Sequence, residues 1–225
     1  MNLWDTLLIT PLTTALLFLY QNLGQSLGIA IIALTVILRL LLFPLVLPSL
    51  RSAKAQRELQ PELKKLKKKY KDDKQALAVA QMELFKKKGV NPFAGCLPQI
   101  LQLVVLIALY RVFMSNLSDG VLNHQFLIWD LSQRDRYFIL PLLAAATQFL
   151  LSRMMLPAVS EEEEAAKATK EQADDFATTM QKQNLYLFPV LTLLLGLQFP
   201  SGLMLYWLVS SAIQVLQQWL AVQIL

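Results

Sequence analysis

Arg39 is the residue with the most chemistry to explain. It is the one charge in the run Leu27 to Leu50, LGIAIIALTVILRLLLFPLVLPSL. A helix needs about 20 apolar residues to span a bilayer, so this run is long enough. Arg51, the next basic residue, lies twelve positions on. That is roughly 18 Å of helix at about 1.5 Å per residue, too far for a side chain to snorkel. An arginine at the bilayer centre costs about 2.5 kcal/mol or more even on the mildest scale. No Asp or Glu falls within the apolar stretches of the chain, although a buried structural arginine is normally paired. Arg39 is therefore expected to be solvated by water and uncharged polar groups, in a hydrated cavity reaching mid-membrane, as an accessible positive charge.

The groups that could line such a cavity follow helical spacing. Thr35 lies four before Arg39, Gln99 and Gln102 are three apart, Gln148 and Ser152 are four apart, and Tyr206, Ser210 and Gln214 step by four, with Trp207 beside Tyr206. Polar residues inside spans tend to face the bundle interior or a wet cavity. Ordinary hydrogen bonding between helices accounts for many of them equally well.

Other chemistries are hard to build. An intramembrane serine protease needs a Ser with a His or Lys inside the membrane, but the single histidine, His124, falls in a polar loop and no Lys lies mid-span. Zinc-protease motifs and phosphate-cradling glycine loops are missing from the sequence, and a coupled transporter would show intramembrane carboxylates. The lone Cys96 excludes a disulfide framework. The expectation is a protein that is not an enzyme and uses no metal or cofactor.

The elements that must position these groups are helical. The chain of 225 residues is 55% hydrophobic, with a mean hydropathy of +0.44, and its apolar residues come in long blocks. An all-α polytopic membrane protein with five transmembrane helices is predicted. Residues 1–23, broken by Pro11 and without a positive start or cleavage site, read as an amphipathic helix in the outer interface, with Leu12, Leu16 and Tyr20 on one face. The first span covers 24–50, with a kink expected at Pro44 and Pro48. The second covers 96–114, the third 137–156, the fourth 184–199 with Thr192 as its main polar residue, and the fifth 200–225. Residues 115–136 form an outer loop, with Phe126 and Trp129 expected at the membrane interface. Residues 157–183, acidic at Glu161 to Glu164, are expected to form a cytoplasmic loop.

Residues 51–95 carry thirteen Lys and Arg against five acids, a net +8. Leu59, Leu63, Leu66 and Tyr70 form a heptad seam, and Ala78, Met82 and Phe85 repeat the step. Asp72 is expected to cap the second arm and Gly89 to stop it. A basic helical hairpin results, suited to anionic lipid headgroups. Its charge places it in the cytoplasm, with the N-terminus outside and the C-terminus inside.

Several stretches resemble the YidC/Oxa/Alb membrane protein insertases. Leu38-Arg39-Leu40-Leu41-Leu42-Phe43-Pro44-Leu45 is similar to their first core span, and Tyr70-Lys71-Asp72-Asp73 to their basic hairpin. The run Gly89 to Gln99, GVNPFAGCLPQ, is similar to bacterial members, and Phe199 to Trp207, FPSGLMLYW, to the start of their last span. The resemblance implies a five-span core with a groove closed on the outside, Arg39 as the groove arginine, and substrate spans sliding along the third and fifth spans. Leu203, Trp207 and Leu208 are expected on that lipid-facing slide. It also implies nascent membrane proteins as substrates, the ribosome, the signal recognition particle receptor and the Sec translocon as partners, and no direct contact with nucleic acid. The chain is expected to be a form without the extra N-terminal span and large periplasmic domain, the lipobox cysteine or the basic tail that some members of that family have, and a bacterial plasma membrane is expected. Two alternatives stay open: a small-solute channel or transporter with an anion site at Arg39, and an assembly factor that holds spans without inserting them.

Overall fold

The computed structural model describes residues 3–70, 73–91, 94, 97–116, 122–155 and 176–224. Asp72, Pro92, Cys96 and most of the 157–183 loop lie outside the described residues.

The chain begins with a π-helical turn, Asp5–Ile9, that runs straight into α1, Thr10–Asn22. Pro11 sits in the first turn of α1, just where the π-helical turn passes into it. Leu12, Leu16 and Tyr20 are the buried stripe of α1, which packs on α2. A tight turn with Gly24 at φ +74° and Gln25 at φ +54° reverses the chain into α2, Leu27–Glu58.

α2 does not stop where the first span was expected to end. It continues through Pro44 and Pro48 as one helix of 32 residues. Past the prolines, one face of α2 is tied to the turn before the next long helix. Ser49 Oγ donates to Ala94 O at 2.6 Å, and Ser52 Oγ and Gln56 Nε2 donate to Asn91 O at 2.8 and 3.2 Å. These bonds stabilise a helical extension that proline propensity alone disfavours.

α3, Gln60–Lys69, and α4, Lys74–Lys87, fold back on each other. Leu59, Leu63 and Phe85 form their core, and Lys88 Nζ pairs with Glu62 Oε1 at 2.6 Å. Two details differ from the sequence expectation. Asp73, rather than Asp72, caps α4 by accepting from Ala76 N at 2.9 Å. The inward seam of α4 runs through Leu77, Gln81 and Phe85, while Met82 is exposed. A four-residue step from Phe85 turns the buried stripe onto Gln81 and carries Met82 to the rim. Gly89 ends the arm at φ +66°, a conformation that costs glycine little.

The remaining long helices are α5, Leu97–Asn116; α6, Ile139–Met155; α7, Phe176–Gly196; and α8, Ser201–Ile224. α7 starts eight residues before the expected fourth span. α2 and α5 are long and apolar enough to cross a membrane, and Ile139–Met154 and Leu185–Gly196 are shorter apolar segments. α8 is central: it packs on α2 and α6, more lightly on α5, while α7 lies against α6. Its first seven residues, Ser201 to Trp207, are all buried. Leu203 and Trp207 thus belong to the core rather than to a lipid-facing surface, and Leu208 is partly buried against it. The exposed large apolar residues of α8, among the described residues, are Leu216, Trp219 and Leu220 at its other end.

The outer loop holds a small ribbon, β1 Gln125–Phe126 against β2 Trp129–Asp130. Phe126 and Trp129 pack on the main core, each partly buried. A Cβ built on Gly28 would lie 2.2 Å from the Phe126 ring, so only glycine lets the ribbon seat on the start of α2. Gly28→Ala should destabilise the fold by about 1–3 kcal/mol through overpacking. In a Phe126→Ala background the same change should cost nearly nothing, as a double-mutant cycle of thermal unfolding in detergent would show.

Ser132 N and Oγ and Gln133 Nε2 all donate to the Asp130 carboxylate, at 2.6 to 3.0 Å. Burial by itself raises the Asp130 pKa. The Ser132 bonds, the nearby His124 charge and Gln133 outweigh it, and the carboxyl sits below its ordinary 3.8. A lowered folded value means the turn is fully supported above pH 3.8 and loosens as pH falls through the lowered pKa. Amide exchange at Ser132 should stay slow down to that pH and quicken below it.

Candidate functional site

Arg39 sits on the thirteenth position of α2 and is 7% exposed. Its Nε donates to Ser210 Oγ at 2.8 Å, and its Nη2 donates to Ser210 Oγ at 2.5 Å and to Gln102 Oε1. Ser210 Oγ in turn donates to Gln102 Oε1 at 2.7 Å. Three helices, α2, α5 and α8, thus meet at one guanidinium. Among the described residues no carboxylate pairs with it. Its charge is held by neutral oxygens alone, which solvate without cancelling it.

A small pocket, open at its mouth, adjoins the guanidinium. Its lining combines Thr35, Arg39, Gln102, Tyr206 and Ser210 with an apolar wall of Leu38, Leu42, Leu101 and Val105. Thr35 is fully buried and its hydroxyl donates to Ile31 O at 2.6 Å, one turn back. That bond uses the Thr35 donor on its own helix, a common fate of threonine inside helices.

The other candidates lie elsewhere. Gln148 Nε2 donates to Gln99 Oε1 at 3.3 Å, linking α6 to α5 away from the Arg39 pocket. Ser152 and Gln214 are buried but do not line it. Trp207 is buried in the core, with its indole N–H unpartnered among the described residues. Thr147 and Ser211 share a hydrogen bond of 2.8 Å that ties α6 to α8. The structure therefore gathers five of the ten candidates, Thr35, Arg39, Gln102, Tyr206 and Ser210, and disperses the rest along helix contacts.

Sequence reasoning passed over the apolar wall, although Leu38 and Leu42 flank Arg39 at helical spacing. It also missed Asp135, a buried acid of the outer loop. Asp135 Oδ1 accepts from Trp129 Nε1 at 3.0 Å and Tyr137 N at 2.9 Å, and Oδ2 from Leu140 N at 2.7 Å, at the start of α6. Next to it, Ser201 N and Oγ donate to Gln133 O at 2.6 and 2.8 Å, and Gly202 N donates to Leu131 O at 3.0 Å. The loop thus stitches the first turns of α6 and α8 together at one end of the bundle. The signal was an acid in a loop just before an apolar run, the position of a helix cap.

Residues 18–225 match the profile of the family described as 60Kd inner membrane protein. The chain is similar to a membrane protein insertase YidC of Alkalilimnicola ehrlichii, 40% identical over 157 residues, which make up 68% of this chain and 24% of that protein. It is similar to the YidC insertase of Francisella philomiragia, 37% identical over 156 residues, 69% of this chain and 25% of the relative. The insertase of Francisella tularensis subsp. novicida is 38% identical over the same shares. The chain spans about a quarter of the length of these curated relatives. With the match reaching from α1 to the end of α8 across an apolar helical bundle, this chain belongs to the 60Kd inner membrane protein family of bacterial membrane proteins.

Proposed function

We propose that the chain is a membrane protein insertase and chaperone, not an enzyme. In this reading α2, α5, α6, α7 and α8 are five spans, α1 lies in the outer interface, and the α3–α4 hairpin is cytoplasmic. The N-terminus is then outside and the C-terminus inside, as the basic excess of the hairpin requires. The single observation that carries the proposal is Arg39: a buried charge midway along an apolar helix, held by Ser210 and Gln102 with no acid beside it among the described residues, next to a pocket. Such a charge is costly in a purely structural role. It suits transient attraction of acidic residues in a hydrophilic tail that must cross the bilayer. The names of the relatives support the same activity. Nascent membrane proteins are the substrates, and the ribosome, the signal recognition particle receptor and the Sec translocon are the partners proposed. Substrate spans would slide along exposed apolar residues, Leu142 and Leu143 on α6 and Leu216, Trp219 and Leu220 on α8.

The test is reconstitution of the purified chain alone into liposomes with a single-span substrate. Protection of the translocated tail from external protease is the expected result. Solute or ion flux without tail protection would favour a channel instead, and substrate binding without protection an assembly factor.

The +8 hairpin should engage anionic headgroups or a charged targeting partner, at about 1 kcal/mol per basic residue near the surface. Deleting residues 55–86 removes it while keeping the Ser49 and Ser52 ties to the following turn. Insertion in cells should fall several-fold while the apolar helices stay folded. Unchanged insertion would show that the hairpin is dispensable.

A further inference from the structure

Gln102 is 5% exposed, and its side-chain orientation is settled by bonding. Oε1 accepts from both Arg39 Nη2 and Ser210 Oγ. Turning the amide over would set its N–H groups against two donors. Nε2 is therefore the free end, and it is buried with no partner among the described residues. A buried donor left unsatisfied is unfavourable and calls for an explanation. The neighbouring hydroxyls do not supply one. Thr35 donates to Ile31 O, and Ser210 receives Arg39 while donating to Gln102. Leu38, Leu42, Leu101 and Val105 carry no polar side-chain atom. Beside the hydroxyl oxygens of Thr35 and Tyr206, neither of which Gln102 Nε2 reaches, the capacity left over in this pocket is donor capacity.

A donor-rich pocket fits an acceptor, and the acceptor that every polypeptide carries is the backbone carbonyl. We infer that Gln102 Nε2 receives a backbone carbonyl oxygen of the hydrophilic tail as it passes Arg39. This role presupposes the insertase activity proposed above and specifies what the site recognises. Arg39 selects by charge, whereas Gln102 is indifferent to the side chains. An extended chain presents a fresh carbonyl roughly every 3.3–3.6 Å, so the amide can release one oxygen and take the next. Neutral tails are then served by the same site as acidic ones. Dispersing a tail's demand between a charge and a neutral donor also keeps either contact from trapping it.

The test uses the full chain in vesicles, with two substrates of identical span and either an acidic or a neutral tail. Gln102→Glu keeps an oxygen facing Arg39 and Ser210 but replaces the amide donor with a second acceptor. Protease protection of the neutral tail should fall about tenfold, the scale of one buried carbonyl left unbonded. A second readout reports the bond itself: in the wild type, a stalled neutral tail with one isotope-labelled carbonyl at the pocket should show its amide I band lowered relative to the same label in Gln102→Glu. Wild-type insertion of the neutral tail by Gln102→Glu, or an unshifted band, would overturn this role and leave the insertase proposal standing. A wild type that protects neither tail would remove both.

Discussion

Arg39→Ala should lose substrates with acidic tails by about tenfold or more and those with neutral tails by less. The uncatalysed barrier is the transfer of a hydrophilic tail into hydrocarbon, where every polar group gives up its water. A pocket beside a charge partway along α2 shortens the dry path. Charges attract more strongly there than in water because the local dielectric is lower. Ser210 and Gln102 hold the guanidinium but leave its charge uncancelled, so an approaching carboxylate meets nearly a full positive charge. The membrane potential, negative inside, aids outward passage of acidic residues by about 2.3 kcal/mol per charge per 100 mV over the full distance. The arginine therefore needs to capture the tail, not to drive it across. Charge matters more than the fork of the guanidinium, so Arg39→Lys should keep much of the activity. Protease protection across a series of tail charges, in paired wild-type and mutant vesicles, measures this. Equal performance of Arg39→Ala on every tail would take the charge out of the mechanism.

Asp135→Ala should be among the most destabilising single changes in the chain. The carboxylate is buried and accepts from the Trp129 indole, the Tyr137 amide and the Leu140 amide. Removing it orphans three donors at once, at about 1–3 kcal/mol for each that stays dry. A net loss of about 3 kcal/mol corresponds to roughly 6–12 °C in unfolding temperature for a chain of this size. The damage would also spread. The same loop presents Gln133 O and Leu131 O to the first residues of α8, the helix that brings Ser210 to Arg39. Asp135→Asn keeps one acceptor oxygen and should fall between the two. Thermal unfolding in detergent with Trp129 fluorescence as the probe gives the ranking, and a loss below 1 kcal/mol would mean the loop does not hold the bundle end.

Much of the helical layout was legible in the chain. The apolar blocks, the lone mid-span arginine and the basic excess of residues 51–95 are local properties, and local properties are what a sequence records. Helix limits were less legible. α2 overran its prolines because Ser49, Ser52 and Gln56 found carbonyl partners across a gap of more than thirty residues, and α7 began well before its apolar run. The seam of α4 shifted by one position onto Gln81, since apolar spacing alone does not choose between adjacent faces of a short helix.

The sequence by itself determined that no acid lies within the predicted spans beside Arg39 and that polar residues recur on every long apolar helix. Only the tertiary structure decided which of them answer the charge. Ser210 reaches it where Gln214 does not, and Gln102 where Gln99 does not, because depth and rotation of each helix are set by packing against its neighbours. Tertiary packing likewise placed Leu203 and Trp207 in the core. A helix that is apolar on all sides reads the same whether lipid or protein surrounds it, and α8 is surrounded by protein only along its first half because α2, α6 and the outer loop converge there.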